Sequence, residues 1–167
     1  MATRGASGAR RIVLNRAAFD EITLAVADGA FELAKSIVAG ADVPDAAPYA
    51  VGLVQGGAVL AYVGKKRVGI WSKTGTASVK KPRAAKLSTG VTVIGGFGFP
   101  GRFVESGTVH MAAEPFLTPE LMADLPDAEG FIRLACVNRK VISAGRAARG
   151  DTFAASKARQ AAKAAAG

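Results

Sequence analysis

The sequence predicts an α+β domain. Three observations carry this: a long run with helical apolar spacing near the N terminus, a middle section of short β-rich runs broken by Gly and Pro, and a return to helical spacing toward the C terminus. No period of 20 to 50 residues repeats, which argues against a solenoid.

Residues 1 to 10, MATRGASGAR, are small and basic with no apolar period, the composition of a flexible basic arm. From Asn15 the apolar residues Phe19, Ile22, Val26, Ala30, Leu33 and Ile37 recur at three- and four-residue steps, predicting an amphipathic helix that buries that stripe. Asn15 fits an N-cap, Asp20 and Glu21 suit the positive end of the helix dipole, and Gly40 fits a stop. Pro44 and Pro48 then break the chain. Strands are expected over Tyr49 to Val54, Ala58 to Val63, Val68 to Trp71 and Val91 to Ile94, with Gln55-Gly56-Gly57 as a hairpin turn. Helices are expected from Phe116 to Leu125 and from Phe131 to about Ala144, separated by Pro126. A single domain thus spans 11 to 145, and the Ala-, Lys- and Arg-rich tail 146 to 167 reads as a solvated helix or a frayed end.

At 167 residues the chain is long enough for one domain with a real core. Its 22 Lys and Arg against 13 Asp and Glu give +9, a field that favours nucleic acid, an acidic partner surface or an anionic membrane. No apolar run approaches the ~20 residues that cross a bilayer, and no signal-like apolar segment follows the early arginines, so the expectation is a soluble protein with no membrane partner. Eight Lys and Arg and no acid occupy residues 64 to 86, read as a basic loop, exposed or disordered until a partner arrives. Lys65, Lys66, Arg67, Lys80, Lys81 and Arg83 are its candidate contacts to a partner or to DNA, with Trp71 available for stacking.

Catalytic and cofactor motifs fare poorly. Gly96-Phe97-Gly98-Phe99-Pro100-Gly101 has the spacing G-x-G-x-x-G. A dinucleotide site needs a strand before it and a long helix opening at the glycines, and only the strand is expected here. Pro100 also removes a backbone donor, so the glycines read as a tight bend and no cofactor is expected. The P-loop spacing fails because Val59 stands where its first Gly belongs and Lys66 where its Ser or Thr belongs. His110 is the sole histidine, and Ser72, Ser78, Ser88 and Ser106 lie in no G-x-S-x-G elbow, which leaves a Ser–His enzyme as the last of the readings. Cys136 is the sole cysteine and sits in an apolar helical run, reading as core filler. The acids Glu114, Glu120, Asp124, Asp127 and Glu129 lack EF-hand spacing, so no metal is expected.

The most specific stretch lies beyond the glycines: Arg102-Phe103-Val104-Glu105-Ser106-Gly107-Thr108, then Ala112-Ala113-Glu114-Pro115-Phe116-Leu117-Thr118-Pro119. It resembles the C-terminal signature of the tail-completion, or tail-to-head joining, family of tailed bacteriophages, whose pattern runs aromatic-Val-Glu-aromatic-Gly-Thr and then Ala-x-Pro-Phe-Leu-x-Pro. Val104, Glu105, Gly107, Thr108, Ala113, Pro115, Phe116, Leu117 and Pro119 fit; Ser106 replaces an aromatic. The order of elements is similar over about Asn15 to Asp124, although the family's Thr-Gly turn is not recognisable in Asp42 to Gly52.

The resemblance implies a non-enzymatic ring, commonly hexameric, in the virion neck, assembled in the host cytoplasm. Its implied partners are other copies of itself, a head-tail connector or stopper, a tail terminator or tail-tube protein, and DNA passing through the lumen without sequence specificity. Arg102, Glu105, Ser106, Gly107, Thr108 and Phe116 are then the expected assembly contacts. A basic nucleic-acid-binding module is the alternative, and a tail terminator ring a second.

Overall fold

The computed structural model describes residues 16–45, 53, 56–75, 90–142 and 151–165. Their architecture is α+β: a long N-terminal helix α1 (Arg16–Gly40), a three-stranded antiparallel sheet of β1 (Ala58–Val63), β2 (Lys66–Ser72) and β3 (Val91–Gly96), then α2 (Phe99–Ser106), α3 (Thr118–Asp124), a 3-10 turn (Leu125–Asp127), α4 (Ala128–Asn138) and α5 (Asp151–Ala165). The sheet order is β2-β1-β3, so β1 is central and pairs antiparallel with both neighbours. Residues of β1 from Ala58 to Tyr62 are buried, as a central strand covered on both faces requires.

Helix α1 ends at Gly40, as its sequence predicts, but it buries the predicted stripe only in part: Ile37 is buried and Val26, Ala30 and Leu33 are half-buried. Phe19 and Ile22 are exposed, and the buried positions are Ala25, Ala27, Gly29, Ser36, Ile37 and Val38. The reason is close helix packing. A Cβ at Gly29 would lie 2.5 Å from Ile132 Cα, so the small-residue face of α1 meets the backbone of α4 directly. Ion pairs from Arg139 to Asp28 and Glu21 continue this contact and make α4 antiparallel to α1. On its sheet side α1 lays Phe31 over Gly69, and Ala34 and Val38 over Gly95, so glycines again admit the approach.

Three further expectations change. The hairpin turn is not at Gln55-Gly56-Gly57: Gly56 is helical, as is Leu53, the one residue of the expected strand Tyr49 to Val54 that is described. The hairpin closes instead at Gly64-Lys65, where Gly64 takes φ +55° at the first central position and Val63 pairs with Lys66. Residues 66–72 are therefore strand β2, so the basic stretch is not a loop along its whole length; 76–89, with Lys80, Lys81 and Arg83, lies outside the described residues. A bulge opposite Ala61 and Tyr62 accommodates the extra residue of β2. Asn15 and the N-terminal arm also lie outside the described residues.

Pro126 separates the two helices, as expected, through a short 3-10 turn. It sits in the first positions of the 3-10 turn, where its missing N–H leaves no bond unmade, and the turn links α3 to α4 continuously. Helix α4 ends at Asn138, short of Ala144, and Lys140 at φ 58° turns the chain back. Finally, the C-terminal segment is a docked helix. Ser156 is fully buried and donates to the Asp127 carbonyl at 3.1 Å, and Arg159 bridges to Asp124 and Asp127. Two polar anchors, invisible to a search for bulky apolar residues, seat it.

Candidate assembly site

The stretch from Gly96 to Leu121 begins with a short helix where the glycines predict only a tight bend. Helix α2 starts at Phe99, with Pro100 in its first turn, where no intrahelical donor is lost, and Gly107 stops it after eight residues. The strand and helix do not make a dinucleotide site, because β3 pairs antiparallel with β1 and the third glycine serves packing. A Cβ at Gly101 would lie 2.8 Å from Phe97 Cβ and 3.1 Å from Leu53 Cδ2. Gly101 and Val104 form the buried side of α2.

Glu105 organises the start of α3. Its carboxylate accepts the backbone N–H groups of Phe116 at 3.0 Å, Leu117 at 2.9 Å and Thr118 at 2.8 Å, and the Thr118 hydroxyl as well. These donors open the helix, where no side chain of the N-cap residue Leu117 caps it. Glu105 thus caps α3 from a different helix. Burial alone would raise this carboxyl, but the Thr118 hydroxyl and the Leu117, Phe116 and Thr118 amides outweigh it and hold Glu105 below its ordinary value.

The segment between the two helices returns through a small turn. Thr108 and Met111 form an isolated bridge, and the Glu114 N–H donates to the Val104 carbonyl at 2.9 Å. Gly107 at φ +70° passes so close to this return that a Cβ would lie 2.8 Å from Ala113 N. Phe116 then enters the core with Ala41, Leu53 and Val104, edge-on to Phe97 with ring centroids 4.9 Å apart.

The predicted contact residues therefore divide. Phe116, 5% exposed, and Glu105 spend their side chains on the chain's own clasp, and Gly107 serves the turn. Arg102, Ser106 and Thr108 face solvent. Beside Arg102 the structure adds two residues that sequence reasoning missed. Phe99, 75% exposed, and Phe103 stack edge-on at 4.8 Å on the outer face of α2. Their four-residue spacing is a usable signal once that segment is read as a helix. An exposed aromatic pair beside an arginine has the composition of a protein contact surface.

The remaining candidates lie apart from this site. Lys65, Lys66 and Arg67 are exposed at the β1–β2 hairpin, whereas Trp71 at the other end of β2 lines a groove of about 730 Å³ with Lys35, Ser36, Gly40, Phe131 and Arg159. The basic tip and the aromatic are not assembled into one stacking surface. His110 is exposed in the turn, its N–H donating to the Thr108 hydroxyl, and no described carboxylate or hydroxyl bonds its ring. Cys136 is half-buried on α4, and burial pushes its thiol pKa up, the opposite of an activated nucleophile. Among the described residues no group of His, Cys, Asp or Glu could hold a metal ion, and no helix is long and apolar enough to cross a membrane.

Comparison with known proteins adds no relative: the chain matches no family model, no curated protein and no solved structure.

Proposed function

We propose that this chain is a structural phage morphogenesis protein that forms a ring, sixfold in the simplest case, in the virion neck, joining the head connector to the tail and letting DNA pass. The observation that carries this reading is the behaviour of the signature stretch. Its Val, Glu, Gly, Pro, Phe and Leu residues act together as an internal clasp, and the clasp holds an exposed aromatic face on α2. Such a face, presented on a rigid element, suits a constitutive contact with a neighbouring subunit or with a connector or tail protein. A ring requires heterologous contacts, each subunit offering two different surfaces. A tail terminator ring is the same reading at the adjoining layer of the neck.

The test is assembly. Mass photometry and electron microscopy of the purified chain, alone and with connector and tail-tube proteins, should reveal closed rings. A chain that stays monomeric with both partners present would sink the reading. The exposed Lys65-Lys66-Arg67 tip favours a second reading, a basic nucleic-acid-binding module. That one requires DNA or RNA affinity that falls steeply between low and moderate salt.

A further inference from the structure

We propose that neighbouring copies of this chain join through the β1–β2 hairpin tip of one and the α3 corner of the next. The inference rests on the ring reading for its partner, a second copy, and adds the two surfaces that meet.

The two surfaces lie at opposite ends of the sheet. The C-terminal end of α1 packs beside the start of β1: a Cβ at Gly57 would lie 3.4 Å from Val38 Cγ1, and the Lys73 ammonium donates to the Ala41 carbonyl at 3.3 Å. Helix α3 reaches the same end, because the Glu120 carboxylate sits against Gly40. The hairpin tip at Gly64-Lys65 lies at the far end of β1, about 20 Å away at ~3.4 Å per residue. Two different surfaces, the tip of one subunit and the corner of the next, are what a head-to-tail ring contact uses.

The two surfaces carry opposite net charge, and the corner adds exposed apolar area. On the corner, Leu121, Met122 and Leu125 are 40%, 65% and 52% exposed, an unpartnered apolar face on α3 and its 3-10 extension. Residues 112 to 129 around it carry five acids, Glu114, Glu120, Asp124, Asp127 and Glu129, and no base. Arg159, Arg133 and Lys73, which sits at the Ala41 carbonyl at the same end, reach in from elsewhere and offset three of these charges, leaving a net of −2. On the hairpin, residues 58 to 72 carry Lys65, Lys66 and Arg67 and no acid, a net of +3. Ile70, 53% exposed, pairs with Leu60, and Arg67 pairs with Tyr62; Leu60 and Tyr62 share one side of β1, so Ile70 and Arg67 share a face. Ile70 lies about 10 Å along that face from Arg67, toward Trp71, so it is the cations of the tip that stand opposite an apolar partner surface of opposite charge. Complementary charge sets orientation and register while the apolar contact holds the pair.

The experiment reverses each side separately. One variant carries Lys65→Glu, Lys66→Glu and Arg67→Glu; the other carries Glu114→Lys, Glu120→Lys and Glu129→Lys. Circular dichroism and thermal melting establish that each is folded, and Met122→Ser replaces the second variant if it is not. Self-association of each is measured by sedimentation and mass photometry. Each charge variant alone should self-associate at least tenfold more weakly than wild type, since like charges then face each other. Mixing the two should restore oligomers with strictly alternating composition, because each tip again meets a corner of opposite sign. Met122→Ser should weaken association without such rescue. Wild-type oligomers unchanged by both charge variants, or a mixture that fails to recover, would overturn the contact while leaving the ring reading standing. Wild type that stays monomeric even with connector and tail-tube proteins would overturn both.

Discussion

Removing the Glu105 carboxylate should unseat the start of α3 and with it the core position of Phe116. Three backbone donors, of Phe116, Leu117 and Thr118, lose their acceptor at 2.8 to 3.0 Å in the Glu105→Ala variant. A lost N-cap side chain costs about 0.5–2 kcal/mol, and a hydrogen bond to a charged group about 1.5–3 kcal/mol. The site is half-buried and the freed N–H groups regain some water, which holds the sum well below three independent bonds. The expected loss is about 2–3 kcal/mol, or about 4–12 °C in melting temperature for a chain of this size. Glu105→Gln, which keeps one acceptor oxygen, should lose about 1 kcal/mol. Urea unfolding of both variants from pH 7 to pH 3 adds a signature that packing alone lacks. Glu105 is held below its ordinary value of 4.5, so its contribution is complete above about pH 4.5 and fades as pH falls through the lower folded value. The gap between wild type and Glu105→Gln should close over that acid window. A variant as stable as wild type at pH 7, or a gap indifferent to pH, would refute the clasp.

Three other expectations arise from the packing. Gly29→Ala gains about 1 kcal/mol of helix propensity yet should destabilise by about 1–3 kcal/mol net in urea melts, because the new Cβ meets the Ile132 backbone at 2.5 Å. Arg159→Ala leaves Asp124, 2% exposed and with one carboxylate oxygen already without a hydrogen bond, as an unpaired buried charge. Loss of about 2–4 kcal/mol and faster proteolysis near α5 are expected, with Asp124→Asn in the same chain recovering part of the stability. Phe116→Ala should cost about 3–5 kcal/mol, whereas Phe99→Ser should stay within about 0.5 kcal/mol of wild type in thermal melts while weakening binding to the connector or tail-tube protein.

The features that local physics encodes are legible in the sequence. Helix α1 and its end at Gly40, the strand runs of β1, β2 and β3, and the α+β order all follow from periodicity and from Gly and Pro. Gly107 and Pro119 were legible for the same reason, since a bend and a helix start act within a few residues. The signature around Glu105 was visible as a pattern, but its work was not. An acceptor whose donors lie 11 to 13 residues away is found only when two helices meet.

Tertiary structure alone decided which side of α1 is buried, since Ala25, Gly29 and Ser36 carry little hydrophobic signal and win through close backbone approach to α4. It turned the glycine-rich stretch into a helix with a packed inner side and an aromatic outer side, because Gly101 fits only where Phe97 and Leu53 converge. It also docked α5 through Ser156 and Arg159, two polar side chains whose value depends on where Asp124 and Asp127 stand. Periodicity reports how much apolar surface a segment can bury. Small residues and long-range hydrogen bonds decide against what, and those are settled only when the chain is folded.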